Sequence, residues 1–147
     1  MLSNACKYAI RAVIYLASRQ IEDVKVNIRD ISAEVDSPEP FTAKIMQSLS
    51  KRGFVSSLKG PSGGFYLEPK QAETTLLEIV KAIDGTQVLD GCGLGLKTCS
   101  DAHPCPIHQE YSQVRQHFND MLENNTIIGL AQAMHGSNSV LKNVLTI

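Results

Sequence analysis

The chain has 147 residues, 43% of them hydrophobic and only 5% aromatic, with 14 Lys and Arg against 15 Asp and Glu. That length accommodates one domain with a sizeable core, or a domain with an oligomerisation arm, and it contains no uninterrupted apolar run of membrane-spanning length. Leu2 is followed at once by polar Ser3 and Asn4, which is not a secretory pattern, so the expected location is cytoplasmic. The formal charge of -1 is unevenly divided: residues 1–70 carry ten basic and seven acidic side chains, residues 71–147 four and eight. The modest positive excess falls on the first part of the chain and is too small to argue for a partner alone.

From Ser3 to Arg19, Ala5, Cys6, Ala9, Ile10, Val13, Leu16 and Ala17 alternate with Lys7, Arg11 and Arg19 as in an amphipathic helix. Asn27 stands where an N-cap belongs, and Ile28, Ile31, Ser32 and Val35 continue a helical period with Asp30 in the first turn. Asp36-Ser37-Pro38-Glu39-Pro40 ends that short helix, because proline disfavours helical geometry in the residue before it yet is well tolerated at the start of the next helix. Between Pro40 and Arg52, Phe41, Ile45, Met46 and Leu49 share one side, leaving Ala43, Lys44, Gln47, Ser50 and Lys51 on the other. Gly53 supplies a helix stop, Phe54 to Leu58 reads as a strand, Phe65 to Leu67 as its return, and Lys59-Gly60-Pro61-Ser62-Gly63-Gly64 as the hairpin tip. Two short helices, a tight turn and a glycine-rich hairpin within Val26 to Leu67 fit a winged helix-turn-helix.

Thr74 or Thr75 can cap a further helix through Ala82, with Leu76, Leu77, Ile79, Val80 and Ile83 completing the core. The compact domain then ends near Asp84-Gly85. Residues 86–107 form a loop rich in Gly, Cys and Pro, longer than a compact domain carries without a functional reason. A long helix follows from Ile107 to Glu123 or Asn124, with Tyr111, Val114, Phe118, Met121 and Leu122 along one side, and this apolar stripe needs a partner. A short helix from Ile127 to Met134 behind a Thr126 cap, and a tail with Val140, Leu141, Val144 and Leu145, are expected to add to the same surface. The fold class is mainly α with a small β-hairpin. Its expected organisation is a winged helix-turn-helix domain over 1–85, a cysteine-rich loop over 86–107, and a long helix in need of a partner with a C-terminal segment over 108–147.

On the second helix of the motif, Lys44, Gln47 and Lys51 are candidates for the major groove, where glutamine can bond adenine and lysine can reach guanine. The same residues also suit an ordinary solvated helix face. The hairpin favours DNA, since Lys59 precedes a turn of glycines and one proline that lets backbone and charge approach a phosphate or minor groove; Ser62 completes the candidate DNA-binding set. A protein-protein module would use the outward helix face instead. In the loop, Cys92 is followed after six residues by Cys99, after five more by Cys105 and after two more by His108. Cytosolic thiols stay reduced, so three soft thiolates and an imidazole suggest an iron–sulfur cluster or zinc, and spacing alone does not choose between them. The bland alternative is a thiol switch or inert cysteines. Cys6 lies in an apolar helical pattern and reads as a core residue, while His103 is a possible competitor of His108. An enzyme reading finds no Cys-x-x-Cys pair and no phosphate-binding glycine loop leading into a helix.

Taken together, Cys6-Lys7-Tyr8-Ala9-Ile10-Arg11-Ala12, Ile28-Arg29-Asp30-Ile31-Ser32, the run from Phe41 to Leu49 and above all Gly53 to Phe65 resemble the Rrf-two family of bacterial winged-helix transcription regulators, over nearly the whole chain. The resemblance implies a sensor loop over 86–107 and a homodimer formed through a dimerisation helix from Ile107 to Asn124, with the second helix of the motif in successive major grooves of palindromic double-stranded DNA and the wing in the minor groove. It places Lys44 and Gln47 on the reading helix and Lys59 on the wing. The three loop cysteines look like those that hold a two-iron two-sulfur (2Fe-2S) or related cluster in family members, and His108 matches a histidine that follows the third cysteine. The six-residue gap after Cys92 is one longer than the family pattern, and members differ in their fourth ligand, some taking it from the partner's first helix. Ala43 stands where one member has glutamate, so no operator preference carries over. The expected function is a homodimeric DNA-binding repressor sensing redox or iron–sulfur status, or a regulator of the same family with a zinc site or thiol switch.

Overall fold

The computed structural model describes residues 1–20 and 24–144. Helix α1 (Asn4–Gln20) starts where the Ser3 hydroxyl accepts the Cys6 N–H at 3.1 Å, and it buries Cys6, Ala9, Ala12, Val13, Leu16 and Ala17. Its alanines keep the helix surface shallow, so neighbours approach from several sides. Helix α2 (Ile28–Val35) opens on Asn27, whose side chain accepts the Asp30 N–H at 2.9 Å, and it ends at Asp36 in the left-handed region at φ 55°. Helix α3 (Glu39–Lys51) begins behind Pro38 with Pro40 in its first turn, and buries Ile45, Met46 and Leu49 together with Thr42, whose hydroxyl donates to the Pro38 carbonyl at 3.0 Å.

The wing is an antiparallel pair, β1 (Ser56–Leu58) and β2 (Gly64–Tyr66), in the register Ser56 with Tyr66, Ser57 with Phe65 and Leu58 with Gly64. Val26 adds a bridge on the far side of β2, exchanging two backbone bonds with Phe65 at 2.9 and 2.8 Å. The strands are shorter than the sequence suggests, because Val55 and Leu67 are drawn into the core. A short helix α4 (Pro69–Ala72) follows; Gln71 takes the Glu68 N–H at 2.8 Å and donates to the Gly53 carbonyl at 3.1 Å, tying the wing's exit to the end of α3.

Helix α5 (Leu76–Asp84) opens with a capping box, the Thr75 hydroxyl accepting the Glu78 N–H and the Glu78 carboxylate accepting the Thr75 N–H at 2.8 Å. The stretch expected as one loop contains a turn of helix, α6 (Gln87–Asp90), which buries Leu89. Helix α7 (His108–Glu123) is long and mostly solvated, with Leu122 its one buried residue among those described, and α8 (Ile127–Met134) starts on a Thr126 cap. Contrary to the sequence expectation, α8 does not extend the apolar stripe of α7. Ile127 and Ala131 are buried in the main core with α1, and the starts of α5 and α8 are laced by Leu76 N–H to the Asn125 carbonyl and Ile127 N–H to the Thr74 carbonyl. In the tail Leu141 packs against that core, whereas Val140 and Val144 are exposed; Leu145 lies outside the described residues. A second cluster of Cys6, Leu76, Val80, Leu89 and Leu122 joins α1, α5, α6 and α7. Among the described residues no helix is long and apolar enough to cross a membrane.

Candidate functional site

Lys44, Gln47 and Lys51 are exposed on α3, opposite buried Ile45, Met46 and Leu49; Ala43 and Ser50 are half-buried at the margin. The helix is held by contacts that hydrophobic periodicity did not reveal. Phe41, expected in the core, sits at its rim with its ring edge-on to Tyr8 at 5.7 Å. The Arg11 guanidinium lies over Tyr8 at 5.0 Å and donates to the Val35 carbonyl at 3.1 Å, where α2 ends. This clasp fixes the start of α3 against both preceding helices. At the wing tip Lys59 and Ser62 are exposed, and the turn closes by the Gly63 N–H donating to the Gly60 carbonyl at 3.0 Å. Lys25, one residue ahead of the winged motif and outside its candidate contact residues, stacks on Tyr66 at 5.3 Å beside the wing base.

The second candidate site lies between α6 and α7. The sulfurs of Cys92, Cys99 and Cys105 all fall within 4.8 Å of one another, the Cys92 and Cys105 pair at 3.6 Å. His108, the first residue of α7, places Nδ1 at 3.1 Å from the Cys99 sulfur and Nε2 at 2.9 Å from an Asp101 carboxylate oxygen. It touches the trio through Cys99 alone and is not part of the mutually close set. His103 is instead paired with Ser100 through backbone bonds in a tight turn. Cys6 is remote from this chemistry in character: fully buried, its thiol is pushed up to about 12 by burial and then by the Asp84 carboxylate.

The loop's own backbone supplies the electrostatics. N–H groups of Leu94 and Leu96 favour the Cys92 thiolate and bring that thiol down to about 7, the Leu94 bond measuring 3.3 Å. At Cys99 the Cys105 N–H, at 3.4 Å, acts in the same direction, but burial and the adjoining thiols outweigh it and leave the thiol above its ordinary value. The donor set fits a thiophilic metal centre. Three sulfurs at these separations approach the spacing of about 3.8 Å that tetrahedral bonds of about 2.3 Å require, and N–H groups directed at ligand sulfurs are the contacts that tune iron–sulfur potentials.

Helix α7 holds the loop's entrance. The Arg115 guanidinium donates to the Asp90 carbonyl at 3.1 Å and to the Gly91 carbonyl, and Asn119 donates to the Leu89 carbonyl at 3.3 Å. Gly93 runs so close to Tyr111 that a β-carbon there would sit 2.8 Å from the ring. Both neighbours of Cys92 are thereby registered on α7. Along the same helix Val114 and Met121 are exposed, with relative accessibilities of 61% and 46%.

Residues 2–133 match the family model Rrf2, described as an iron-dependent transcriptional regulator. The chain is 33% identical over 129 residues to a helix-turn-helix-type transcriptional regulator of Aquifex aeolicus, covering 86% of this chain and 88% of that one. Its fold is similar to CymR, the global cysteine regulator of B. subtilis, with a TM-score of 0.74 at 20% identity over 91% of this chain and 98% of that one. It is also similar to T. potens IscR, with a TM-score of 0.69 at 20% identity over 95% and 92% of the two chains.

Proposed function

Because this chain belongs to the Rrf2 family of DNA-binding transcriptional regulators, we propose that it is a cytoplasmic homodimeric repressor whose operator affinity is set by an iron–sulfur cluster in the loop between α6 and α7. In this reading Cys92, Cys99 and Cys105 are cluster ligands and His108 the fourth, with a 2Fe-2S cluster as the first choice and zinc as the alternative. The observation that carries it is the approach of three loop thiols to within 4.8 Å in a chain whose family model is described as iron-dependent. A bound cluster would supply a redox-sensitive bond network. The chain's residues do the rest: ligation draws positions 92 to 108 together, and since the loop's entrance is fixed on α7 by Arg115 and Asn119, its pose biases how α7 sits against α5 and α6.

For DNA, Lys44, Gln47 and Lys51 enter a major groove and Lys59 and Ser62 approach the adjacent backbone, two copies together reading a palindrome through the exposed stripe of Val114 and Met121. The test is protein purified without oxygen. Iron, sulfide and a visible chromophore that disappear in a Cys92→Ala, Cys99→Ala, Cys105→Ala variant, together with a change in operator affinity, are expected. Unchanged operator affinity across oxidised, reduced and metal-free preparations would sink the sensing role. A second reading has its own support: the 3.6 Å separation of the Cys92 and Cys105 sulfurs suits a thiol switch, which would give a colourless protein whose oxidised form carries that pair as a disulfide.

A further inference from the structure

Resting on the assignment of the loop thiols as metal ligands, we propose that Asp101 is a positioning residue that makes His108 present Nδ1, and not Nε2, to the metal. An ionised carboxylate only accepts hydrogen bonds, so the 2.9 Å contact between Asp101 and Nε2 puts the proton on Nε2. The neutral ring then carries its lone pair on Nδ1, the nitrogen at 3.1 Å from the Cys99 sulfur. Ligation through one ring nitrogen with a carboxylate on the other is the arrangement that fixes tautomer and ring orientation at metal sites.

Asp101 is placed by the loop's construction. Ser100 and His103 exchange backbone bonds at 3.2 and 3.1 Å, and the Ser100 hydroxyl takes the His103 N–H as well, so Asp101 stands at the corner of a tight turn. His108 is fixed from the other side, its N–H donating to the Cys105 carbonyl at 3.0 Å and its carbonyl accepting the Ser112 hydroxyl at 2.7 Å. Backbone constraints bring ring and carboxylate together, while rotation of the imidazole about its side-chain bonds is left for Asp101 to settle. Such an orienter matters more for His108 than for the thiols, because the ring reaches the trio only at Cys99. The Asp101 side chain is fully exposed, so its effect belongs at the low end of the about 10- to 100-fold range for outer-shell partners of metal ligands.

The experiment uses the full chain loaded with zinc ion, which is diamagnetic, comparing the wild type with Asp101→Ala and Asp101→Asn. Long-range proton–nitrogen correlation spectra report the His108 tautomer, and competition with a chromogenic chelator reports affinity. Expected are an Nε2-protonated, Nδ1-bound ring in the wild type, about a tenfold weaker site with a mixed tautomer in Asp101→Ala, and recovery of the tautomer in Asp101→Asn, whose amide oxygen still accepts from Nε2. Zinc held by the thiols with His108 unbound, an Nε2-bound ring in the wild type, or an Asp101→Ala protein indistinguishable from wild type would each overturn the role of Asp101 while leaving the thiol centre standing. Failure of the wild type to bind zinc at all would remove the proposal, and iron and sulfide analysis of protein purified without oxygen would then decide separately whether the three thiols hold a cluster.

Discussion

Replacing Gly64 with Ala should detach the wing, and the structure sets the size of the effect. A β-carbon at Gly64 would lie 2.7, 2.8 and 3.0 Å from the O, C and N atoms of Val26, all backbone atoms that no side-chain rotation can move aside. Relief requires β2 to swing away from Val26, which breaks the two bonds between Val26 and Phe65 at 2.9 and 2.8 Å. Two net hydrogen bonds contribute about 1 to 3 kcal/mol. The φ of 151° at position 64, unsuited to a residue with a β-carbon, adds strain of about 1 to 3 kcal/mol. A loss of about 2 to 6 kcal/mol is a large part of the about 5 to 15 kcal/mol that holds a domain folded. At about 2 to 4 °C per kcal/mol for a chain near this size, thermal unfolding should move down by about 4 to 24 °C. Gly60→Ala is the control: its φ is 108°, but nothing lies within 4 Å of the added carbon, so only backbone strain enters. Thermal melts, with hydrogen exchange at the Val26 and Phe65 amides, separate wing detachment from global weakening. A Gly64→Ala protein that melts with wild type and keeps those two amides protected would refute the reasoning.

On the DNA side, Lys59→Ala should weaken binding uniformly across sequences and make the salt dependence shallower by about one charge. Gln47→Ala should relax discrimination at one base position by about 1 to 3 kcal/mol, and competition titrations with mutated operators would expose a wrong assignment. Val114→Asp, which puts charge into the stripe beside exposed Met121, should shift the protein to monomers in sedimentation equilibrium, with a melting temperature that no longer rises with protein concentration. Cys92, with its folded value lowered from 9.0 to about 7, should be alkylated in metal-free reduced protein with a rate that falls as pH drops through about 7. The sign follows from the shift: the folded state favours the thiolate, so the stability this group contributes is present above its unfolded value and lost on acidification through the folded one. Cys6, pushed up to about 12 and fully buried, should stay unmodified until the protein unfolds, and mass mapping of the alkylated sites checks both statements.

Local chemistry was legible in the sequence where it acts over a few residues. The caps at Asn27 and Thr126 stand where side-chain type and helical period put them, because an N-cap bond closes within three residues of its donor, while of the two candidates Thr74 and Thr75 the structure takes Thr75. The faces of α3 were readable for the same reason. Partner choice was not: the apolar pattern of Ile127 to Met134 announces burial but not against which helix, and the small residues of α1 that receive α8 carry no address. The helical period puts Phe41 in the core, whereas its place is set by Tyr8, itself under the Arg11 guanidinium, on a helix some thirty residues away and outside the about 11- to 18-residue window in which periodicity is read. The short α6 was hidden inside a glycine-rich loop, since a single turn carries no period and Leu89 is its one buried residue. At the cysteine site residue types suggested the donors, while their mutual distance and the Asp101 partner of His108 depend on loop closure across many bonds.

Loop closure also determines where a signal can leave the site. Leu89 is buried with Cys6, Leu76, Val80 and Leu122, Asn119 holds its carbonyl, and Arg115 holds the next two carbonyls, so the chain enters the loop on α7. The chain leaves the loop into α7 as well, since His108 is that helix's first residue. A bridge between Cys92 and Cys105 therefore constrains a segment whose two ends already rest on one helix, so any effect on the reader has to pass through that helix's contacts. For occupancy to reach α3, strain in the loop has to be passed through Arg115 and Asn119 to α6 and thence to the cluster around Cys6 on α1, the helix that packs on α2 and α3. Arg115→Ala cuts this path at its strongest contact and leaves all three thiols in place. The expected result is a protein that still binds metal but whose metal-loaded and metal-free forms differ little in operator affinity, against a wild-type ratio in the about 5- to 150-fold range of allosteric couplings. Paired binding isotherms measure that ratio directly. A variant that keeps the full wild-type ratio would show that the signal crosses by another route, with the exposed face of α7 at Val114 and Met121 the next place to cut.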